Sequence, residues 1–429
     1  MIALARILEH VDGRPVLVAF SGGLDSTALL HLLAGSFEAD AHGLRAIHVH
    51  HRLHPDADAW AAHCQRVCDG LGVPLTIVHV QVDRDSGEGL EAAARKARHA
   101  AFEAELRDGE LLALAHHRDD QAETFLLRAL RASGPDGLGA MRPWRRFGRG
   151  WLWRPLLDLP RSALLAHAQQ YGLQWIDDPG NTDTMLDRNF LRHRVLPLLR
   201  ERWPHAVAAF ARSATLSSQA NDLLADEDAV TLAAVRDIDP HMIRASALRA
   251  LPAARRARVL RRWVAALALP PLPAEGVARI ETGLLDAAPD AESVFTWSGT
   301  VVRRWRDVLH VDIQRKPLPS DWQAQWDGRG TLSLPDGDAL RLLGADGFDA
   351  PVRVHARQGG ERVTLPGRDH SHALKHVLQD LGVPPWQRER LPLTSDVDGE
   401  LLAAGDLVYS ATFDDWLRAR GARLIWSSV

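Results

Sequence analysis

Val16-Leu17-Val18-Ala19-Phe20-Ser21-Gly22-Gly23-Leu24-Asp25-Ser26-Thr27-Ala28-Leu29-Leu30-His31-Leu32-Leu33 reads as a strand, a tight loop and a helix in one short run. The continuous apolar stretch Val16–Phe20 is what a parallel strand buried on both faces requires. Thr27–Leu33 has the composition of a helix packed on such a sheet. Between them, two glycines let the backbone come close to a ligand. The N–H groups at the helix start, with the helix dipole behind them, favour negative charge. Ser21, Ser26 and Thr27 add hydroxyls to this anion site. The loop has no lysine at the position a G-x-x-x-x-G-K-[ST] loop would need, so the γ-phosphate chemistry of that motif is not indicated.

Working outward, 15–20, 44–50, 74–80 and 111–116 read as β-rich runs. Helical stretches over Thr27–Ala34, Asp56–Leu71, Gly89–Arg107 and Asp120–Ala132 alternate with them. Alternation of this kind predicts an α/β fold with a doubly wound parallel sheet, whose ligands bind at the carboxyl ends of the strands. The glycine loop, His48-Val49-His50-His51 and His116-His117 all fall at such ends, which predicts one composite site.

Two further helices are expected over Ser162–Tyr171 and near Asp187–Arg202, separated by the polar loop Asp177–Asp183. From Ala206 the pattern becomes helical and alanine-rich, and 293–313 and 330–343 then alternate like strands. The reading is a catalytic domain over 1–205, a middle helical/β domain over 206–345 and a small α+β domain over 352–429, with a helix over Ser371–Leu381 in the last. Ile2, Leu4, Ile7, Leu8 and Val11 predict an amphipathic first helix rather than a secretory signal.

The chain has 429 residues, 46% apolar and 25% charged, which suits a globular protein, and no apolar run reaches membrane-spanning length. Cys64 and Cys68 are the only cysteines; one helical turn apart, they read as a packed pair, and a cytoplasmic location is expected. The formal charge of −4 argues against a generic nucleic-acid binder. Its distribution argues otherwise. Arginines gather at 142–154, 188–202 and 255–262, interleaved with Trp144, Trp151, Trp153, Trp203 and Trp263, as a surface for a phosphate backbone would require.

Three groups carry candidate chemistry. Asp25 lies inside the glycine loop, where a carboxylate near phosphates calls for a bridging Mg²⁺; capping the helix near Thr27 is the alternative. In His116-His117-Arg118-Asp119-Asp120-Gln121-Ala122-Glu123-Thr124, Asp120 and Glu123 share a helix face and can hold a cationic amino acid or a metal. The competing role is to cap the helix and complement its dipole. In Arg188-Asn189-Phe190-Leu191-Arg192, Arg188 and Arg192 share a face suited to phosphate or a base edge, with a solvated face as the competitor.

Ser21–Ser26 resembles the PP-loop (SGGxDS) of the N-type ATP pyrophosphatases. With His48–His51, Gly89-Leu90-Glu91-Ala92-Ala93-Ala94-Arg95, His116–Thr124, Asp177-Asp178-Pro179, Arg188–Arg192 and the stretch Gly359–Glu361 with Lys375–Arg390, the chain resembles the bacterial tRNA(Ile)-lysidine synthases nearly end to end. Arg52, Arg118 and Gly180 depart from residues frequent in that family. The resemblance implies a two-step reaction. ATP adenylates the C2 oxygen of the cytidine at the first anticodon position of a CAU isoleucine tRNA, and the lysine ε-amine displaces AMP.

On that reading Ser21, Gly22, Gly23, Leu24, Asp25 and Ser26 bind ATP, and Asp25, Asp120 and Glu123 are catalytic, Asp25 positioning Mg²⁺. His116, Asp120, Glu123, Arg188, Asn189 and Arg192 meet lysine and tRNA, the C-terminal domain grips the tRNA, and the family allows a homodimer. A thiolase on the same loop would need reactive cysteines, which Cys64 and Cys68 do not offer. NAD or GMP synthetases would leave 352–429 unexplained, and a tRNA-binding protein with a degenerate ATP site would not need Asp25 and the acidic cluster.

Overall fold

The computed structural model describes residues 11, 13–35, 43–83, 89–286 and 293–428; the expected N-terminal helix lies outside them. The chain forms two compact units, Met1–Glu227 and Asp228–Val429.

In the first unit, β1 (Val16–Ala19), α1 (Leu24–Ala34), β2 (Leu44–His50), α2 (Ala57–Leu71), β3 (Leu75–His79), α3 (Leu90–Glu105), β4 (Leu111–Ala113) and α4 (Arg118–Leu130) follow one another as the alternation predicts. Next come β5 (Trp144–Phe147), β6 (Gly150–Trp153) and α5 (Arg161–Gln170). The strand order is β3-β2-β1-β4-β6-β5, all parallel except the edge strand β5, which turns back on β6. β1 is central and buried on both faces. Val16 and Val18 join Phe20, Leu29, Cys64, Cys68 and Leu164 on one side, while Leu17 joins Phe102, Leu106 and Phe147 on the other. That division is what doubly wound means physically: helices cover both faces, so the strand is apolar throughout. The sequence of connections reverses between β1 and β4, and the loops leaving their carboxyl ends are the glycine loop and His116-His117.

α1 begins three residues earlier than expected. Gly23 is extended at its N-cap, and the Thr27 N–H already donates to the Gly23 carbonyl at 2.9 Å. Asp25 therefore lies in the first helical turn and does not cap the helix, which removes the alternative role. Gly22 sits at φ +82°, and a Cβ there would lie 2.6 Å from Ile176 Cδ1 and 2.9 Å from Cys64 Sγ. Backbone strain and overpacking act together at this position. Gly22→Ala should cost about 2–4 kcal/mol of stability, read by urea denaturation; an unchanged midpoint would mean the loop is free to relax.

Beyond α5, a 3-10 turn (Pro179–Thr182) leads into a nearly continuous helix: α6 (Asp187–Phe190), a π-helical turn (Leu191–Val195) and α7 (Leu196–Arg202). The long α8 (Ala206–Val235) follows.

In the second unit, β7 (Met242–Arg244), β8 (Val294–Trp297), β9 (Thr300–Trp305) and β10 (Val308–Ile313) form an antiparallel sheet ordered β7-β10-β9-β8. Trp263, Val259 and Leu260 of the arginine-rich helix α9 (Ala253–Ala266) are buried in its core. The C-terminal region is α+β, with a five-stranded and a three-stranded sheet. Strand 338–343, read from sequence within 206–345, pairs antiparallel with 423–428, so it is hydrogen-bonded into the C-terminal sheets. The helix expected over Ser371–Leu381 is shorter, Leu374–Asp380, because His372 and Ala373 pair as a strand with Val363 and Arg362.

Candidate active site

The glycine loop is shaped by its own hydroxyls. Ser26 Oγ donates to the Gly23 carbonyl at 3.0 Å, leaving Ser21 to donate to Ser26 Oγ at 3.0 Å. Thr27 Oγ1 donates to the Gly22 carbonyl at 3.3 Å, and the Ile176 N–H closes the loop from outside with a 2.9 Å bond to the same carbonyl. Leu24 is buried, so only its backbone faces the loop. The first N–H groups of α1 have no acceptors within the helix and form the anion-attracting end.

Across the switch point, His117 starts α4. Its N–H donates to Asp120 Oδ2 at 3.0 Å, and its Nδ1 accepts from the Asp120 N–H at 3.3 Å, a reciprocal capping box. The expected capping role of Asp120 is therefore real, and it coexists with further contacts. With Nδ1 accepting, the proton of His117 is on Nε2, which faces Asp25 Oδ2 at 3.6 Å and Asp120 Oδ2 at 3.4 Å. Burial alone would depress this histidine. Asp25, Asp120 and Asp119 outweigh it and hold the His117 pKa above the ordinary value. Its contribution to stability is then fully present below about pH 6.5 and is lost as pH climbs through the raised value. The difference in unfolding free energy between wild type and His117→Gln should therefore shrink across that window in urea titrations. A pH-independent difference would remove the imidazolium from the account.

Glu123 is fully buried and meets two arginines. Arg188 Nε donates to Oε2 at 2.8 Å, while Arg192 donates from Nε to Oε1 at 2.7 Å and from Nη2 to Oε2 at 3.0 Å. Arg192 Nη2 also reaches Asp120 Oδ1 at 2.9 Å, and Arg188 Nη2 reaches Thr124 Oγ1 at 3.2 Å. Burial works against the Asp120 carboxylate, yet His117, Arg188 and His116 prevail and hold its pKa below the ordinary range. Arg188 and Arg192 thus turn these donors on the acidic pair while both side chains stay partly exposed.

Asp119 is set apart: it accepts from Arg200 at 2.5 Å and from the Arg161 N–H at the start of α5 at 3.0 Å. Asn189 is also apart, its amide donating to the Gly180 and Asp183 carbonyls at 2.9 Å each and pinning the preceding loop. His116 accepts from Arg154 Nε at 3.2 Å and is kept neutral, its pKa pulled to about 3 by burial first and then by neighbouring arginines, against Asp120. Arg154 itself is brought down to about 10 by burial, then by Arg145, Arg95 and Arg128. Burial, and Arg95 after it, likewise lower the pKa of Arg98 and Arg145, so positive charge is gathered around His116.

The sequence placed His117 and Thr124 in the candidate run without giving either a role of its own, and it passed over Arg161, whose Nε lies 3.7 Å from Asp25 Oδ1. The signals available were the doubled histidine and an arginine at the first position of a helix beside the sheet edge. For Mg²⁺, the relevant observation is that Asp25 Oδ1 is buried and accepts no hydrogen bond. One free hard oxygen beside an anion loop fits an ion that takes most of its ligands from phosphate and water. Among the described residues, no three His, Cys, Asp or Glu side chains form a cage of their own. Cys64 and Cys68 are buried, and burial pushes both thiols up to about 12, so they are packing groups. No helix of the described residues is long and apolar enough to cross a membrane.

Known proteins match the chain over nearly its whole length. A PP-loop domain family matches residues 2–199, a TilS substrate binding domain matches 244–310, and a TilS substrate C-terminal domain matches 352–426. The chain is 59% identical to the tRNA(Ile)-lysidine synthase of Xanthomonas axonopodis pv. citri, covering 99% of this chain and 96% of the relative. It is 58% identical to that of Xanthomonas campestris pv. campestris (strain 8004), covering 99% and 98%. Against that of Xylella fastidiosa (strain Temecula1) the identity is 54%, covering 96% and 95%.

Proposed function

The chain belongs to the tRNA(Ile)-lysidine synthases, and from that premise we propose how its own residues divide the work. It is an enzyme that uses ATP to modify tRNA(Ile). The substrates are a CAU-anticodon tRNA(Ile) and L-lysine, joined at C2 of the first anticodon cytidine with release of AMP and pyrophosphate. The observation that carries this reading is the meeting, at one switch point, of an anion-binding loop and a buried acid–arginine cluster.

Ser21–Ser26 hold the ATP phosphates through backbone N–H groups and hydroxyls, which stabilise charge on the departing pyrophosphate. Mg²⁺ at Asp25 would neutralise phosphate charge. His117 presents its Nε2–H between Asp25 Oδ2 and Asp120 Oδ2 and tempers the repulsion of the two carboxylates across the site. Asp120, held ionised, acts as counter-charge to the lysine ammonium rather than as its base. Glu123 fixes Arg188 and Arg192, which face the anticodon nucleotide, and neutral His116 lines the same pocket. The arginines around Arg95 and Arg154 receive RNA phosphates. Residues 1–205 carry the chemistry, and 206–345 and 352–429 hold the tRNA. The reaction takes place in the cytoplasm, where its three substrates meet.

The test is incorporation of labelled lysine into CAU-anticodon tRNA(Ile), with and without ATP. Incorporation that requires ATP and yields AMP and pyrophosphate supports the reading. Pyrophosphate release without incorporation would move the nucleophile away from lysine.

A further inference from the structure

The helix that delivers Arg188 and Arg192 to Glu123 has a second face. Leu186, Phe190, Arg194, Leu198 and Arg202 recur every four residues along it. All five are exposed: Leu186 by 41%, Phe190 by 49% and Leu198 by 64%, with Trp203 (60%) at the end and Met185 (89%) at the start. The opposite side is packed, since Leu191 and Leu196 are buried, Leu196 against Ala122 and Val207.

A four-residue spacing drifts around an ordinary helix of 3.6 residues per turn. The π-helical turn Leu191–Val195 is wider and takes up part of that drift, so the stripe stays in register. Its register is held from below as well: Asn189 ties the preceding loop through two carbonyls, and the Met185 N–H donates to Asp183 Oδ1 at 2.9 Å. The side chains of Arg194 and Arg202 make no hydrogen bond or ion pair among the described residues.

We propose that this stripe is a docking surface for the unpaired nucleotides of the RNA substrate, lying on the reverse of the helix that lines the catalytic pocket. Its composition selects the occupant. Apolar side chains, one of them aromatic, alternating with unpaired arginines match the alternation of base faces and phosphates along a single strand. A second copy docked stripe on stripe would set arginine against arginine, and a protein partner would need two carboxylates at the spacing that successive phosphates supply by themselves. Nucleotides adjoining the reactive one stack on Phe190 and its neighbours, while Arg194 and Arg202 each meet a phosphate. The proposal rests on the tRNA reading and adds to it a surface outside the pocket.

The experiment uses the full chain and a synthetic stem–loop RNA carrying a CAU loop, with affinity measured over a range of salt. Phe190→Ser should raise the Kd for this RNA about tenfold, the loss of one stacked base. Arg194→Gln with Arg202→Gln should lower the slope of log K against log salt by about 1.4, two single-strand phosphate contacts. ATP binding, by equilibrium dialysis, should be unaltered in both variants. Unchanged RNA affinity and salt slope would overturn the proposal. So would a change confined to sedimentation, which would give the face to a second copy. If the wild-type chain neither binds nor modifies the RNA, the lysidine reading falls with it; wild-type modification with unaltered variants sinks the stripe alone.

Discussion

Asp25→Ala should lower ATP-dependent lysine transfer about 10²–10³-fold, while its melting temperature stays within about 2 °C of wild type and RNA affinity within about twofold. The asymmetry follows from what Asp25 touches. Its Oδ1 accepts no hydrogen bond, His117 stands 3.6 Å from Oδ2 and Arg161 stands 3.7 Å from Oδ1. Above the raised pKa of His117, where that ring is neutral, the carboxylate therefore contributes little to holding the fold together. Its negative charge, at the mouth of an anion loop, is useful only when something positive sits between it and the phosphates. Steady-state transfer, a thermal melt and an RNA titration on one preparation check the prediction. Parallel loss of RNA binding and folding would make Asp25 a structural residue.

Glu123→Gln should show the reverse pattern, failing in stability and chemistry together. Glu123 takes three N–H donors from two arginines, and the amide can neither neutralise them nor accept all three with charge assistance. Leaving two cations to share the single charge of Asp120 over a buried position costs about 3 kcal/mol, at the low end because Arg188 and Arg192 keep partial access to water. For a unit of this size that is a fall in melting temperature of about 6–12 °C. Lysine transfer should fall further than adenylate formation, because the two arginines released from Glu123 draw on Asp120, the counter-charge to the lysine ammonium. A normal melt with only a raised KM for lysine would instead make Glu123 a direct lysine contact.

The glycine loop and the sheet were legible because their reasons are local. A strand buried on both faces must be apolar throughout, and Val16–Ala19 is. The pairing of Glu123 with Arg188 and Arg192 is a different kind of fact. It joins residues 65 and 69 positions apart, and nothing in the periodicity of either helix distinguishes such a pair from two solvated faces. The capping and functional readings of Asp120 proved compatible because its two oxygens face different ways, Oδ2 to the His117 N–H and Oδ1 to Arg192. Tertiary pairing overrode local preference at the start of the 371–381 helix and set the partner of one strand. His372 and Ala373 became a short strand, and 338–343 found its partner at 423–428.

Ile176 donates its backbone N–H to the Gly22 carbonyl, and its side chain fills the space where a Gly22 Cβ would be. The residue immediately after it, Asp177, opens the loop that leads to Arg188. On the proposed reading, nucleotide and RNA are received by two segments that meet at this contact, so a displacement of either is felt by the other. Thermodynamic reciprocity then applies here: whatever factor separates the affinity for RNA with and without nucleotide must also separate the affinity for nucleotide with and without RNA.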